Sequence, residues 1–346
     1  MKKCALCLEK EATETNTHYL TDSIIRRTLN EGGSKERGKT LSFGVSNTSP
    51  FTEMSFKENT SPEKLQEALG RETTEEENEA SIAQRDYSVD EVFCSACEKR
   101  FGKIESAFTD KFLKKLRMNP SLENASEVEF EKDIKIFRLF WLMQVWRSAV
   151  CTETVKLSSD ISEKLRSLIL LGIEVDENEL KQFPLSITLL YTGTDPETHT
   201  ENLVGYTSDT NPILILMGEF VIQFFENNES VRYFDFHGLN DEMTYTQFIN
   251  YQETAFKVRV LSDIKRKAFL ISVIDQDLVL PKFEFYMKTF IAFWVEVTGS
   301  PPPGHTVGEY TKELTDFNNV PVGQVLSEER VIDFTIKFIA KKIGLI

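Results

Sequence analysis

Four of the five cysteines stand in two Cys-x-x-Cys pairs, Cys4 with Cys7 and Cys94 with Cys97. Two thiolates three positions apart on a tight turn can bind one metal ion, and two such turns complete a tetrahedron of sulfur ligands, which is the geometry of structural Zn(II) sites. In a reducing compartment such pairs are metal ligands more often than disulfides. The sequence therefore predicts a structural zinc ion held by all four cysteines. The alternative is two unrelated pairs, of which one is a redox dithiol.

A histidine lies between the two cysteine pairs, shortly after Cys7. His18 stands in the string Thr17-His18-Tyr19-Leu20-Thr21-Asp22, where the chain enters a segment with the pattern of a helix, Ser23–Asn30. One interpretation is structural: the histidine packs on the zinc knuckle or caps the helix that follows. A catalytic role is the other interpretation, and it needs a geometry that the sequence does not give.

The segment after the second cysteine pair has the pattern of an amphipathic helix. Apolar residues recur there at spacings of three and four, which predicts a buried stripe made of Phe101, Ile104, Phe108, Phe112 and Leu116. Basic residues occupy the other side of the same predicted helix. A basic face opposite an apolar face is suited to contact with phosphate groups.

Taken together, these motifs resemble a group of bacterial proteins related to HNH endonucleases. That group combines Cys-x-x-Cys, a Ser-His or Thr-His leading into an apolar and basic helix, and a second knuckle that reads Leu-Cys-x-x-Cys-Glu-x-x-Phe-Ser-x-x-Glu. The corresponding string here is Phe93-Cys94-Ser95-Ala96-Cys97-Glu98-Lys99-Arg100-Phe101-Gly102-Lys103-Ile104-Glu105. The group also carries a helix with Phe and Trp-Arg, which resembles Phe140–Arg147. The resemblance covers residues 1–47 and 93–150 and fades beyond them.

The resemblance implies both a fold and an activity. It implies a small HNH or treble-clef-like zinc module, and a metal-dependent endonuclease that hydrolyses phosphodiester bonds, within the class of anti-phage defence effectors. In HNH enzymes of the ββα-metal type the first histidine is the general base, and a divalent cation stabilises the departing 3′ oxygen. His18 would be that base, and Glu98 would occupy the Asn or His position of the motif. Glu105 or Asp22 would add a carboxylate oxygen to Mg(II) or Mn(II).

The sequence departs from the HNH pattern at three points. Thr17 stands where many HNH proteins have an acidic metal ligand, Tyr19-Leu20-Thr21 replaces Ile-Ile-Pro, and the second knuckle has no histidine near it. These departures keep a second hypothesis open. In it the zinc module is a non-catalytic scaffold that binds nucleic acid or protein.

The distribution of charge bears on nucleic-acid binding. A net charge of −15 disfavours such binding, because phosphate contacts supply much of the affinity. Residues 1–47 and 93–120 nevertheless carry +6 together, whereas residues 48–92 carry −8. DNA, or alternatively RNA, is therefore the expected partner of the module. The predicted contacts are the basic residues that follow the two knuckles: Arg26, Arg27, Arg37, Lys39, Lys99, Arg100 and Lys103.

The composition divides the chain into three parts. Residues 48–92 are rich in Glu, Thr, Ser and Asn and poor in aliphatic residues, so they are predicted to be a flexible acidic insertion. It would separate the two halves of the zinc module, residues 1–47 and 93–120. Residues 121–346 are predicted to form an α+β domain with an antiparallel sheet, which regulates the module or binds a protein partner.

Within residues 121–346 the predicted elements follow local patterns. Two helices are expected in residues 131–171, the second ending at Gly172. The predicted strands are Leu185–Tyr191, Pro212–Met217, Glu219–Phe225 and Val231–Phe236, and the predicted closing helices are Phe283–Thr298 and Ser327–Ile343. Within residues 121–346 there is no Walker A loop, no G-x-G-x-x-G string and no G-x-S-x-G string.

Membrane association is not expected from the sequence. No apolar run approaches the roughly 20 residues that span a bilayer. The N-terminus, Met-Lys-Lys-Cys, is not followed by the apolar stretch and small-residue cleavage site of a signal peptide. The expected location is therefore the cytoplasm.

Overall fold

The structure is a computed structural model that describes residues 2–29, 41–44, 53–56, 66, 70–76, 87–193, 202–206, 211–316, 320 and 327–345. The chain divides into two units, each made of two segments. The first comprises Met1–Arg37 and Arg85–Leu270, and the second comprises Gly38–Gln84 and Ile271–Ile346. The residues on the two sides of the predicted boundary at 120 and 121 thus fall in the same unit.

The first unit contains a six-stranded sheet in the order β5-β10-β6-β9-β8-β7. Its strands are β5 (Glu127–Phe130), β6 (Leu185–Leu190), β7 (Leu203–Tyr206), β8 (Ile213–Gly218), β9 (Phe220–Phe224) and β10 (Phe256–Leu261). Neighbouring strands are antiparallel except for β10 and β6, which are parallel. The predicted α+β class with an antiparallel sheet is confirmed.

The helices of the first unit surround one long central helix, α4. They are α1 (Asp22–Leu29), α2 (Ser95–Phe108), α3 (Lys114–Arg117), α4 (Ile134–Cys151), α5 (Ser159–Leu171), α6 (Glu177–Leu180) and α7 (Asp263–Val273), which ends beyond the unit boundary. Every residue of α4 from Ile136 to Ser148 is buried. A helix buried on all sides must contact other elements around its whole circumference, so α4 is the centre of the unit.

One continuous apolar core joins the N-terminal part of the first unit to its sheet. It contains Cys97 and Ile104 of α2 together with Ile187 of β6 and Ile222 of β9. Phe108 of α2 stacks on Phe140 of α4 with ring centroids 3.7 Å apart. The predicted buried stripe of α2 and its continuation is confirmed, since all five of its members are buried: Phe101, Ile104, Phe108, Phe112 and Leu116.

A buried acidic residue ties α1 to the sheet. Glu219 lies in the turn between β8 and β9, and 6% of its side chain is exposed. Arg117 donates from Nε to Glu219 Oε1 at 2.7 Å and from Nη2 to the carbonyl oxygen of Ser23 at 3.0 Å. Arg27 of α1 lies 3.9 Å from the other carboxylate oxygen of Glu219. The charge of Glu219 is therefore compensated by two guanidinium groups, as a buried carboxylate requires.

The predictions for the middle of the chain are largely confirmed. Helices α4 and α5 are the two expected in residues 131–171, and β6, β8 and β9 match three of the four predicted strands. The fourth prediction, Val231–Phe236, is wrong because this segment pairs with no strand. Its aromatic residues pack against other rings instead: Tyr233 against Tyr245 at 5.5 Å and Phe236 against Phe269 at 5.6 Å between centroids.

The second unit contains a strand pair and three described helices. Strands β2 (Leu41–Gly44) and β3 (Glu53–Phe56) pair antiparallel, and the helices are α8 (Leu280–Thr298), α9 (Gly304–Leu314) and α10 (Glu328–Lys342). Phe290 of α8 stacks on Tyr310 of α9 at 4.0 Å, and Phe338 of α10 lies 5.8 Å from Phe290. The two predicted closing helices are confirmed.

Much of the predicted acidic insertion, residues 48–92, lies outside the described residues. Within it, β3 belongs to the second unit, while β4 (Ser88–Val89) belongs to the first. Among the helices that the structure describes, none combines the length and the apolar character needed to cross a bilayer.

The aromatic packing around α4 is expected to be a main source of stability for the first unit. Phe108→Ala removes a ring that is fully buried and should lower the free energy of unfolding of this unit by about 3–5 kcal/mol. Urea titration followed by amide exchange in α4 measures the change. Met118→Ala is the control, because the side chain of Met118 is 78% exposed. Equal midpoints for both variants would contradict the assignment.

Candidate metal centre

The four paired cysteines meet in the first unit. The sulfur atoms of Cys4, Cys7, Cys94 and Cys97 all lie within 4.8 Å of one another, and Cys7 Sγ is 4.0 Å from Cys94 Sγ. Tetrahedral zinc with Zn–S bonds of about 2.3 Å places its sulfur ligands about 3.8 Å apart. The four thiols therefore fit a structural zinc ion.

Local backbone structure positions each cysteine pair. The first pair lies on a tight turn, in which the N–H of Leu8 donates to the carbonyl oxygen of Cys4 at 2.9 Å and Leu8 adopts a positive φ of 61°. The second pair lies at the start of α2, where the N–H of Cys97 donates to the carbonyl oxygen of Cys94 at 2.9 Å. The tight turn thus carries the thiols of Cys4 and Cys7, and the start of α2 carries those of Cys94 and Cys97.

Backbone hydrogen bonds join the two cysteine pairs across their long separation in sequence. The N–H of Ala5 donates to Val92 O at 2.9 Å, and the N–H of Thr13 donates to Phe93 O at 3.0 Å. These bonds place the residue before Cys94 beside the turn that carries Cys4 and Cys7.

The environment of the thiols affects their ionisation. Burial raises the pKa of Cys4 and of Cys97. Burial also disfavours the thiolate of Cys7, but the N–H groups of Lys10 and Glu9 prevail and lower its pKa to about 7. Zinc binding displaces thiol protons, so a cation would stabilise the thiolates that burial disfavours.

An arginine from α5 supports the first cysteine turn. Arg166 donates from Nη1 to the carbonyl oxygen of Leu6 at 2.6 Å, between Cys4 and Cys7 in sequence. Its Nε and Nη2 donate to the two carboxylate oxygens of Glu163 at 2.7 and 2.5 Å. A fixed positive charge beside the turn favours a cluster of thiolates.

His18 lies on a short strand between the cysteine turn and α1. Strand β1 (Thr17–His18) pairs antiparallel with β4, so that His18 is opposite Ser88. In the chain, α1, β2 and β3 lie between β1 and β4, and α2 follows β4. The backbone carbonyl of His18 accepts a hydrogen bond from Nη2 of Arg147 on α4.

Arg147 connects His18 to the two predicted carboxylates. Its side chain is 2% exposed, and its Nη1 donates to Glu105 Oε1 at 2.8 Å. Its Nη2 lies 3.9 Å from Glu98 Oε1, an ion-pair distance that is too long for a hydrogen bond. The structure thus brings His18, Glu98 and Glu105 together around one guanidinium group.

Glu98 differs from Glu105 in its surroundings. Its Oε1 is buried and has no hydrogen-bond partner among the described residues. Burial raises the pKa of Glu98 to about 7, although the charge of Arg147 opposes the shift. Asp22, the other predicted carboxylate, instead lies 3.7 Å from Arg26 in an ion pair on α1.

The sequence interpretation missed part of this site. Gln144 and Arg147 of α4 and Thr21 of the His18 segment form its polar interior. A signal was present: Gln144 and Arg147, like Arg138, interrupt the long apolar stretch of α4. Such an interruption indicates a polar partner inside the protein.

The predicted nucleic-acid contacts differ in their availability. Lys99 and Lys103 are exposed and four positions apart on α2, and Arg100 is half-buried. Arg26 and Arg27 lie within ion-pair distance of Asp22 and Glu219. Arg37 and Lys39 lie outside the described residues.

Zinc content tests the metal centre directly. The purified protein is expected to carry about one zinc ion per chain, and Cys97→Ser should abolish tight binding because it removes one of four ligands. Cys151→Ser is the control, since Cys151 lies outside the cluster. Mass spectrometry of the bound metal gives the readout. Zinc retained in full by the Cys97 variant, or lost equally from both variants, would refute the centre.

No protein-family model matches the chain, and no curated protein or solved structure matches it either. Two features of the molecule bear on its function. One is the centre of four cysteines, and the other is the group of His18, Glu98, Glu105 and Arg147 beside it.

Proposed function

We propose that this protein is an HNH-like, metal-dependent endonuclease that hydrolyses phosphodiester bonds in nucleic acid. One observation carries the proposal: β1, which bears His18, and α2, which bears Glu98, are joined through Arg147 next to the cysteine centre. The HNH resemblance implies a ββα arrangement. Here β1 pairs with β4 and α2 follows β4, while α1, β2 and β3 lie between β1 and β4 in sequence. The zinc ion is structural in this proposal and takes no part in the chemistry.

His18 is the general base of the proposed reaction. Its imidazole takes the proton from the attacking water, and its place on β1 is fixed by pairing with Ser88. Glu98 would hold the divalent cation, because its Oε1 is free of hydrogen bonds within the described part of the chain. Mg(II) or Mn(II), which prefer oxygen ligands, would supply positive charge for the departing 3′ oxygen.

The exposed lysines of α2 form the proposed contact with substrate phosphates. Lys99 and Lys103 are one helical turn apart, and Lys99 follows Glu98 directly. DNA is the proposed substrate. A role as an effector of anti-phage defence is part of the same proposal, and it derives from the resemblance to HNH proteins.

A second function is favoured by the position of Arg147. Its guanidinium group lies within ion-pair distance of both Glu98 and Glu105, so a positive charge already stands where the divalent cation would bind. In this alternative the zinc module is a non-catalytic scaffold that binds nucleic acid, or a protein.

Cleavage of plasmid DNA in the presence of Mg(II) or Mn(II) tests the nuclease. His18→Ala should reduce the cleavage rate by at least about 100-fold, because a general base contributes roughly that factor or more. His305→Ala is the control, since His305 is exposed and lies in the second unit. Equal cleavage by wild type and the His18 variant refutes the catalytic role. DNA binding without cleavage by any of the proteins supports the scaffold.

Salt-dependent binding tests the lysine surface under either function. Replacing both Lys99 and Lys103 with Gln should weaken binding to a DNA duplex and lower the salt dependence by about one unit of slope per lost phosphate contact. Lys288→Gln is the control, because Lys288 is an exposed lysine of the second unit. Fluorescence anisotropy over a range of salt concentrations provides both quantities. An unchanged slope in the double variant would exclude this surface.

A further inference from the structure

We propose that Arg147, together with Gln144, is a positioning residue for His18: the two side chains fix the backbone turn of residues 18–21 against α2. This inference rests on the proposed function, because it assigns a role to residues that lie behind its histidine. Neither side chain was identified as functional from sequence patterns, and both come from the most buried helix of the first unit.

Arg147 hydrogen-bonds to His18, the first residue of this turn. Its Nη2 donates to the backbone carbonyl of His18, and its Nη1 donates to Glu105 Oε1 at 2.8 Å. A guanidinium group is a rigid planar fork, so these two bonds fix the distance between β1 and α2 as well as their direction. The bond to His18 goes to its backbone carbonyl oxygen.

Gln144 hydrogen-bonds to Thr21, the last residue of the turn. Its Oε1 accepts from the N–H of Thr21 at 3.1 Å, and its Nε2 donates to Thr21 Oγ1 at 2.9 Å. Thr21 Oγ1 in turn donates to Glu105 Oε1 at 2.9 Å. Glu105 is therefore the shared acceptor for Arg147 and Thr21. The hydrogen-bonded network of Arg147, Gln144, Thr21, Glu105 and the His18 carbonyl is called the clamp.

The two α4 side chains of the clamp, Gln144 and Arg147, are held in the protein interior. Gln144 is fully buried, and the Cζ of Arg147 lies 4.6 Å from the ring centroid of Phe101 on α2. With 2% of its side chain exposed, Arg147 is too buried to contact a substrate directly. It must therefore act through His18, and loss of a positioning contact lowers the rate of the chemical step more than it lowers substrate affinity.

A purely electrostatic role for Arg147 makes a different prediction. Its charge lies near Glu98 and Glu105, and a lysine at position 147 would keep that charge. A lysine lacks the planar fork and does not hold two acceptors in fixed directions. Arg147→Lys therefore separates the geometric role from the electrostatic one.

The experiment compares Arg147→Met and Arg147→Lys with a matched control, Arg138→Met. Arg138 is also a fully buried arginine of α4, but its guanidinium contacts Asn250 O and the ring of Phe256. Four quantities are measured on the full chain: kcat and KM for plasmid cleavage, the rate of amide exchange at Thr21, and zinc content.

The clamp predicts the same pattern in both Arg147 variants. The value of kcat should fall at least about tenfold, while KM stays within about threefold of wild type. Exchange at the Thr21 amide should accelerate at least about tenfold, because the turn opens more often once a charged hydrogen bond is lost. Zinc content and the exchange rate in the Arg138 variant should equal those of wild type.

Several outcomes overturn the inference. Unchanged exchange at Thr21 in Arg147→Met rules out the clamp, and wild-type behaviour of Arg147→Lys shows that charge alone is needed. Acceleration of exchange without loss of kcat shows that His18 needs no positioning. A wild-type chain that does not cleave refutes the proposed nuclease, and the exchange rates then decide separately whether the clamp holds the turn. Gln144→Met replaces Arg147→Met if the latter does not fold, with the same expectations.

Discussion

The meeting of two cysteine pairs that are remote in sequence is the constraint on which the N-terminal part of the first unit depends. Cys4 and Cys7 lie on a turn, Cys94 and Cys97 at the start of α2, and their sulfur atoms lie within 4.8 Å of one another. Burial disfavours ionisation of Cys4 and Cys97, and a cation bound by the cluster would stabilise their thiolates. The positions of β1 and of the start of α2 therefore depend on the place where the four sulfur atoms come together.

The second requirement is a set of buried polar side chains on the largely apolar helix α4. Helix α4 packs against the sheet and α2 through aromatic rings, yet it also presents Gln144 and Arg147 to the His18 segment. A buried guanidinium without partners would be costly, and here Glu105 and a backbone carbonyl satisfy part of its hydrogen-bonding capacity. The same residues thus contribute to stability and determine the surroundings of His18.

Sequence patterns predicted those features that depend on local periodicity. The cysteine pairs, the stripe from Phe101 to Leu116, and helices α4 and α5 follow from spacing alone, because each of these patterns is complete within a short segment. The sequence interpretation missed strand β10, although Lys257 and Arg259 alternate with apolar residues as in a strand. The structure shows why Arg259 is tolerated there: it donates to Leu239 O and Asn240 Oδ1 and lies over the ring of Phe248. Contacts such as Arg147 with His18 join residues far apart in sequence, which one sequence does not reveal.

The link between Glu219, Arg27 and Arg117 gives the metal centre an influence beyond its immediate neighbours. Helix α1 is linked to Glu219 in the turn between β8 and β9, and one apolar core contains both Cys97 and Ile222. The cysteine centre and the sheet therefore belong to one packed unit. A ligand that binds only the folded state adds its binding free energy to the stability of the entire cooperative unit. Removal of the metal by a chelator would therefore destabilise strands that contain no metal ligand, through thermodynamic linkage rather than through direct contact.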